Sequence, residues 1–507
     1  MALYEAASDS LTYDEPDHYR YGAQILALDA TRFDDSKMPF SALNALAVDI
    51  ARYLFPEWVE NAWQPERIGR VATIIIGVLL GLLVFHWSQE WYGIPAGIFS
   101  LFLFVFEPNI LAHAHLITTD IYATFTIALS LYCFWKFTTK LNFKWGLLSA
   151  IALGTAQLAK YTGVYLYPIL SIVALVRFAP DFYKAARNHN IKAILPGFYK
   201  TGLYLTLHIV ISLILINVGF LFDRTFQPLS SFSFQSELFQ TYQDRLSKFA
   251  DPPVPFPYPY LQGLDWVWFR ERSGEQFGRI YLLGQLREGR GFAGYYFIAF
   301  ILKTPLATQT FLVIALFTYL KRHQKINFLK NEWFLFGPVL FFTLYFNFFY
   351  NAQIGIRYYL VVFPFVYIFS GSLFQNWQKC SRPALWWTYS GCLYLLISTL
   401  SYFPHHISYF NELVWNREQA YHYLADSNLD WGQDELYLIR YLHDHPKAIF
   451  DPGKPASGEI IINVNQLLGV RGGLNQYRWL RNNYKPVGRI AYSYLIFQVD
   501  PSNLYPD

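Results

Sequence analysis

Residues 68–91 read IGRVATIIIGVLLGLLVFHWSQEW, an apolar run of the length that crosses the hydrocarbon core of a bilayer. A second run, TDIYATFTIALSLYCFW, covers 119–135. Such runs recur along the 507 residues, of which 54% are hydrophobic, 20% aromatic and only 15% charged. A soluble globular chain carries roughly 25% charged residues, so this one lacks the groups that solvate a surface. The predicted spans are 68–90, 94–112, 119–137, 145–159, 162–177, 201–222, 304–320, 333–350, 356–374 and 384–403. The chain is expected to be a polytopic all-α membrane protein.

The net charge of +4 does not point to nucleic acid, because the basic residues sit between apolar runs. There they act as topology signals. Lys136, Lys140 and Lys144 share one loop, and Arg177, Lys184, Arg187, Lys192 and Lys200 a later one. Lys321, Arg322, Lys325 and Lys330 fill the next, followed by Lys379 and Arg382. With these spans all four loops lie on one side, and the short loops 113–118 and 351–355 on the other side have no Lys or Arg. The positive-inside rule makes the basic side cytoplasmic. Three parts follow: an extracytoplasmic first segment 1–67, a transmembrane domain 68–403, and an extracytoplasmic tail 404–507. Within the transmembrane domain, the Pro- and aromatic-rich stretch 223–303 is expected to be an outside loop or lid. In the tail, QDELYLIRYLHDH reads as a helix, and GEIIINVNQ and RIAYSYLIFQV as strands, which makes a small α/β appendage. Cys133 and Cys392 lie in apolar runs and Cys380 in a basic loop, so no structural disulfide is expected.

Carboxylates and cations together gather on the outer face. TYDEPDHYRYG, residues 12–22, brings Asp14, Glu15, Asp17 and His18 there; a solvated terminal tail is the alternative. The short loop EPNILAHAHLITTD holds His113, His115 and Asp120, with Asp120 also a fair helix N-cap. Lys160 interrupts two apolar runs, while Lys303 and Arg357 stand at the starts of spans, where they either act or snorkel as anchors. Ionised groups at membrane depth are costly unless paired or functional. Cations at that face suit the phosphate of a lipid-linked substrate, held bidentately by an arginine. A nearby carboxylate suits a general base on an acceptor hydroxyl. A divalent metal at Asp14, His18, His113 and Asp120 stays open.

TYDEPDH, GRVATIIIGVLLGLLVFHWSQEWYG and EPNILAHAHLITTD together resemble the protein O-mannosyltransferase-like, aminoarabinose-transferase-like branch of GT-C glycosyltransferases. AQLAKYTGVYLYP, FILKTPL, IGIRYYLVVFPF and PHHISYFNEL are similar to further segments. DSNLDWGQD is the most specific, with Asp426, Asn428, Asp430, Trp431 and Gln433. The resemblance implies a multispanning enzyme of the inner (plasma) membrane. It would transfer a sugar from a polyprenyl-phosphate donor to a protein, lipid or glycan acceptor on the outer face. It implies a catalytic acid at Asp14 or Glu15, a second acidic loop at Asp120, and donor-phosphate contacts at Lys160, Lys303 and Arg357. Members of this branch have a transmembrane helix before the acidic motif, for which Asp14 lies too near Met1. Either the start of translation lies further upstream or the enzyme dispenses with that helix. A transporter or flippase of lipid-linked sugar is the alternative, although transporters place charges near the midplane. A glycolipid-binding scaffold is a third reading.

Overall fold

The computed structural model describes all residues except 30, 31, 33–35, 188–194, 276–277, 322–327, 376, 380 and 502–507. Cys380, Lys192, Arg322 and Lys325 therefore lie outside the described residues. The first segment is not a tail. It folds into α1 (Ala2–Ser8), α2 (Glu15–Leu26), α3 (Ser41–Leu54) and α4 (Pro56–Glu60). Pro16 fits the first turn of α2, where a missing N–H costs nothing, and Glu15 and Asp17 complement the helix dipole. Gly22 lets α2 and α3 touch, since a Cβ there would lie 2.2 Å from the Ser41 carbonyl oxygen.

Each predicted span contains helix: α5 (Arg70–Tyr92), α6 (Ile94–Val105), α7 (Pro108–His113), α8 (Asp120–Lys140), α9 (Phe143–Ala159), α10 (Leu166–Arg187) and α11 (Leu195–Gly219). Among the described residues, only four helices are by themselves long and apolar enough to cross a membrane: Pro65–Tyr92, Tyr161–Lys184, Gly202–Gly219 and Ile356–Phe374. The stretch 94–112 is broken into α6 and α7. The Ile356–Phe374 span is continuous but begins as a 3₁₀ turn, Ile356–Val362. Burial sorts the spans, with 89% of the Ile356–Phe374 window inside the protein against 22% of Gly202–Gly219. The first is the central helix. The second turns Leu205, Ile209, Ile214 and Val218 outward, as lipid allows.

The 223–303 stretch is more structured than the expected loop. It carries α12 (Glu237–Ser247), α13 (Tyr258–Ser273) and an antiparallel hairpin of β1 (Arg279–Leu282) with β2 (Gln285–Glu288). Then come α14 (Tyr295–Lys303) and α15 (Leu306–Lys321), bent 111° apart, α16 (Trp333–Phe348), α17 (Phe363–Gly371) and α18 (Arg382–Leu400).

The tail adds α19 (Glu435–Asp444), β3 (Ile449–Phe450), β4 (Gly458–Asn463), α20 (Val464–Leu468), α21 (Arg478–Asn483), β5 (Gly488–Ile490) and β6 (Tyr494–Val499). The sheet order is β3-β4-β6-β5, with only the β3–β4 pair parallel. RIAYSYLIFQV, read as one strand, is a hairpin that turns at Ala491 (φ 48°). This α/β unit is no detached appendage. Ser10 N donates to Gln433 O at 2.9 Å, Tyr13 N to Trp431 O at 3.0 Å, and Leu283 N to Tyr423 O at 2.9 Å. It closes over the acidic turn.

Candidate active site

One cavity of about 460 Å³ collects side chains from every part of the chain. The acidic turn supplies Asp14 and His18, the head of α8 supplies Asp120, and the α9–α10 break supplies Lys160. Arg357 comes from the 3₁₀ turn, and α13 adds Trp266, Arg270 and Glu271. Lys37, Asp426, Trp431 and Arg471 complete the wall.

Local backbone explains how the cations reach it. Lys160 is the extended residue (φ −161°, ψ 148°) between α9 and the 3₁₀ turn Tyr161–Tyr165, so its side chain leaves the helix axis. The 3₁₀ turn that carries Arg357 starts at Ile356, whose N donates to Asn428 Oδ1 at 3.0 Å. Ser427 Oγ also donates to Ile354 O at 2.5 Å. No side chain would fit at Gly355, where a Cβ would stand 2.2 Å from Ser427 Oγ. DSN thus clamps IGIR.

Inside the cavity the charges alternate. Arg357 Nη1 donates to Asp14 Oδ2 at 3.0 Å and stands 3.8 Å from Asp120 Oδ2. Its guanidinium lies 3.9 Å from the centre of the Trp431 ring. Lys160 Nζ donates to Asp120 Oδ1 at 2.6 Å and sits 4.2 Å over the Tyr358 ring. Asp120 is buried, whereas the Asp14 side chain keeps 37% of its surface open. Burial pushes the Asp14 carboxyl up, but Arg357, Lys37 and His18 together bring it below the ordinary range. It is a carboxylate at neutral pH. Glu271 accepts from Tyr345 Oη at 2.7 Å and Tyr165 Oη at 2.8 Å, and its burial raises it above the ordinary carboxyl range despite those bonds.

The other sequence-predicted residues lie behind the wall. Glu15 is fully buried. Its oxygens accept from Thr12 N (2.7 Å), Ile117 N (2.9 Å), and Arg70 Nε (2.8 Å) and Nη2 (2.6 Å). Arg70 also donates to the carbonyls of Ala6, Asp9 and Ser10, so this pair ties the first segment to α5. Lys303 is buried outside the cavity, and its ammonium donates to Ile407 O (2.8 Å) and Asn428 O (2.5 Å). His115 faces Asp9 (3.4 Å) and Glu5 (3.6 Å) rather than the cavity. His113 packs against Trp431, and burial holds it down to about 3, a neutral ring. Asp430 accepts from Asn463 Nδ2 (2.9 Å) and Asn465 Nδ2 (3.1 Å). Gln433 Oε1 accepts from Trp431 N at 2.7 Å. Asn428, Asp430 and Gln433 are framework, while Asp426 and Trp431 face the cavity. No group of three or more His, Cys, Asp or Glu among the described residues is set to hold a metal ion.

Sequence reasoning missed Arg70, Lys37, Glu271 and Arg471. Only Arg70 left a signal, as a lone cation at the head of a span that follows an acidic turn.

Residues 43–225 match the family model of dolichyl-phosphate-mannose-protein mannosyltransferases. Asp120 and Lys160 fall inside the match, Asp14 and Arg357 outside it. The class is therefore that implied by the motifs: a membrane glycosyltransferase that uses a polyprenyl-phosphate-linked sugar. Nothing found supports the transporter reading. Two solved structures are distantly similar. ArnT from Cupriavidus metallidurans, bound to undecaprenyl phosphate, aligns over 100% of this chain and 97% of its own, at 10% identity and TM-score 0.49. The Archaeoglobus fulgidus oligosaccharyltransferase in the apo form aligns over 85% of this chain and 56% of its own, at 15% identity and TM-score 0.45. No curated protein matches the chain by sequence.

Proposed function

We propose that the protein transfers a sugar from a polyprenyl-phosphate donor to a protein, lipid or glycan acceptor on the extracytoplasmic face of the inner (plasma) membrane. Asp14 is the general base, and Arg357 and Lys160 hold the donor phosphate. The observation that carries this reading is the convergence of Asp14, Asp120, Lys160 and Arg357 on one cavity. Asp14 accepts the proton of the acceptor hydroxyl, and the oxygen of that hydroxyl bonds to the anomeric carbon with inversion. The bond from that carbon to the phosphate oxygen breaks, and the electron pair leaves on the polyprenyl phosphate. The two cations neutralise that growing charge, which is where electrostatic catalysis acts most strongly. Asp120 keeps both cations in place between turnovers.

Arg357 donates to Asp14. A bound phosphate competes for the same guanidinium, so donor binding loosens its grip on Asp14 and makes the carboxylate a better base. The donor is then bound before the acceptor is activated.

Membranes containing the full chain, given a panel of radiolabelled polyprenyl-phosphate sugars, are expected to move label from at least one into an endogenous acceptor. Bare polyprenyl phosphate should inhibit. No transfer from any member of the panel would contradict the reading. The face is tested by cysteines at exposed Glu57, Asn475 and Lys140. An impermeant thiol reagent should label the first two in intact cells, and labelling at residue 140 instead would reverse the orientation.

A further inference from the structure

The chemistry above uses none of the carboxylates in DSNLDWGQD, although one of them faces the cavity. Asp426 holds a left-handed backbone, φ 55°, a conformation that costs a non-glycine residue free energy and tends to mark functional positions. It is clamped there. Asp426 N donates to Asn465 Oδ1 at 2.7 Å, and Asp426 Oδ1 accepts from Ser427 N at 2.7 Å. Among the described residues Oδ2 takes no hydrogen bond, and the side chain lines the cavity. The same asparagine fixes a cation, because Arg471 N donates to Asn465 O at 3.1 Å. The Arg471 guanidinium also lines the cavity and lies 3.9 Å over the ring of Tyr13, the residue before Asp14. One residue of the α/β unit, Asn465, thus holds the backbone of both an acceptor and a donor, through its side chain and its main-chain carbonyl, next to the acidic turn.

We propose that Asp426 and Arg471 form a subsite that reads the hydroxyl groups of a sugar ring, which places substrate specificity in the C-terminal α/β unit. A hydroxyl can donate to the carboxylate while its neighbour accepts from the guanidinium, a pattern that uses both side chains at once. A buried site built to bond a hydroxyl strongly rejects the analogue that lacks it. The inference rests on the transferase reading for its ligand class. The ring is that of the donor sugar or that of a glycan acceptor, and the two are separated by experiment.

The test uses the full-length protein in nanodiscs. Binding and transfer are measured with polyprenyl-phosphate mannose, its monodeoxy forms and bare polyprenyl phosphate. A second arm uses mannose-terminated oligosaccharides and their deoxy forms. The wild type should bind one deoxy form about tenfold or more weakly than its parent, as loss of a hydrogen bond to a charged group implies. Asp426→Asn, which tolerates the left-handed backbone, and Arg471→Gln should erase that discrimination and bind bare polyprenyl phosphate as the wild type does. The arm in which discrimination vanishes names the source of the ring. Unchanged discrimination in both arms for both variants would overturn the subsite. The expected binding pattern without turnover would leave the subsite standing and remove the transferase reading.

Discussion

Asp14 and Glu15 are adjacent carboxylates at the head of one helix, each bound to an arginine, yet their surroundings differ at every point. Glu15 has no exposed surface and four hydrogen-bond donors. Asp14 keeps an open face and accepts from Arg357 Nη1 at 3.0 Å. A carboxylate whose lone pairs are all taken cannot accept a substrate proton. One with a free face and a removable partner can. The pair teaches that an arginine–carboxylate contact is framework or machinery according to what else reaches the oxygens.

The sharpest way to break this contrast is to empty each arginine in turn. Arg70→Ala leaves Glu15 as an unpaired buried charge and should destabilise the protein by about 3–5 kcal/mol, read as denaturant unfolding in detergent. Arg357→Ala should cost much less, since water reaches Asp14. Equal losses would erase the distinction.

Arg357→Lys sharpens the machinery side. A guanidinium holds two phosphate oxygens at once and an ammonium one, so donor use should weaken by about 1–3 kcal/mol. The dependence on acceptor should be unchanged. Superimposable curves of rate against donor concentration would return Arg357 to a membrane anchor.

Asp426 extends the comparison to pH. Burial raises its carboxyl to about 6 against the pull of Arg471 and Arg357 and with a push from Asp430. A carboxyl raised on folding favours the folded state below its unfolded pKa, near 4, and loses that contribution as pH rises through about 6. The stability of Asp426→Asn relative to wild type should therefore climb between about pH 4 and pH 6 and level off above. Parallel melting curves across that window would contradict this environment.

The smallest effect is expected at Lys303. Lys303→Gln should leave half-saturation by donor unchanged, whereas Lys160→Gln should raise it. A matching rise in both would return Lys303 to the phosphate site.

The apolar helices were legible because hydropathy acts over twenty residues at a time, and the ionisable cluster because charge is scarce in the apolar runs around it. The sequence grouped Asp14, Asp120, Lys160 and Arg357, which line one cavity. It did not separate Asp14 from Glu15, because one residue of helical phase decides which faces the cavity, and Arg70 lies 55 positions away from Glu15. Lys303, grouped with the donor-phosphate cations, lies outside the cavity, and the 111° bend after α14 is not written in FILKTP as a direction. Helix α13, with Glu271, was hidden in a proline- and aromatic-rich stretch whose composition suggests a loop. The α/β unit showed its strands but not its seat on the acidic turn, since those contacts run main chain to main chain.

The central claim is tested most directly by measuring transfer rate and unfolding midpoint together for Asp14→Asn and Glu15→Gln. Asp14→Asn should lose about 10²–10⁴-fold in transfer and keep the wild-type unfolding midpoint. Glu15→Gln should lower the midpoint, because it leaves Arg70 poorly paired in the interior, and retain turnover per folded molecule. The reverse pattern, an inactive but stable Glu15→Gln beside an active Asp14→Asn, would contradict the account.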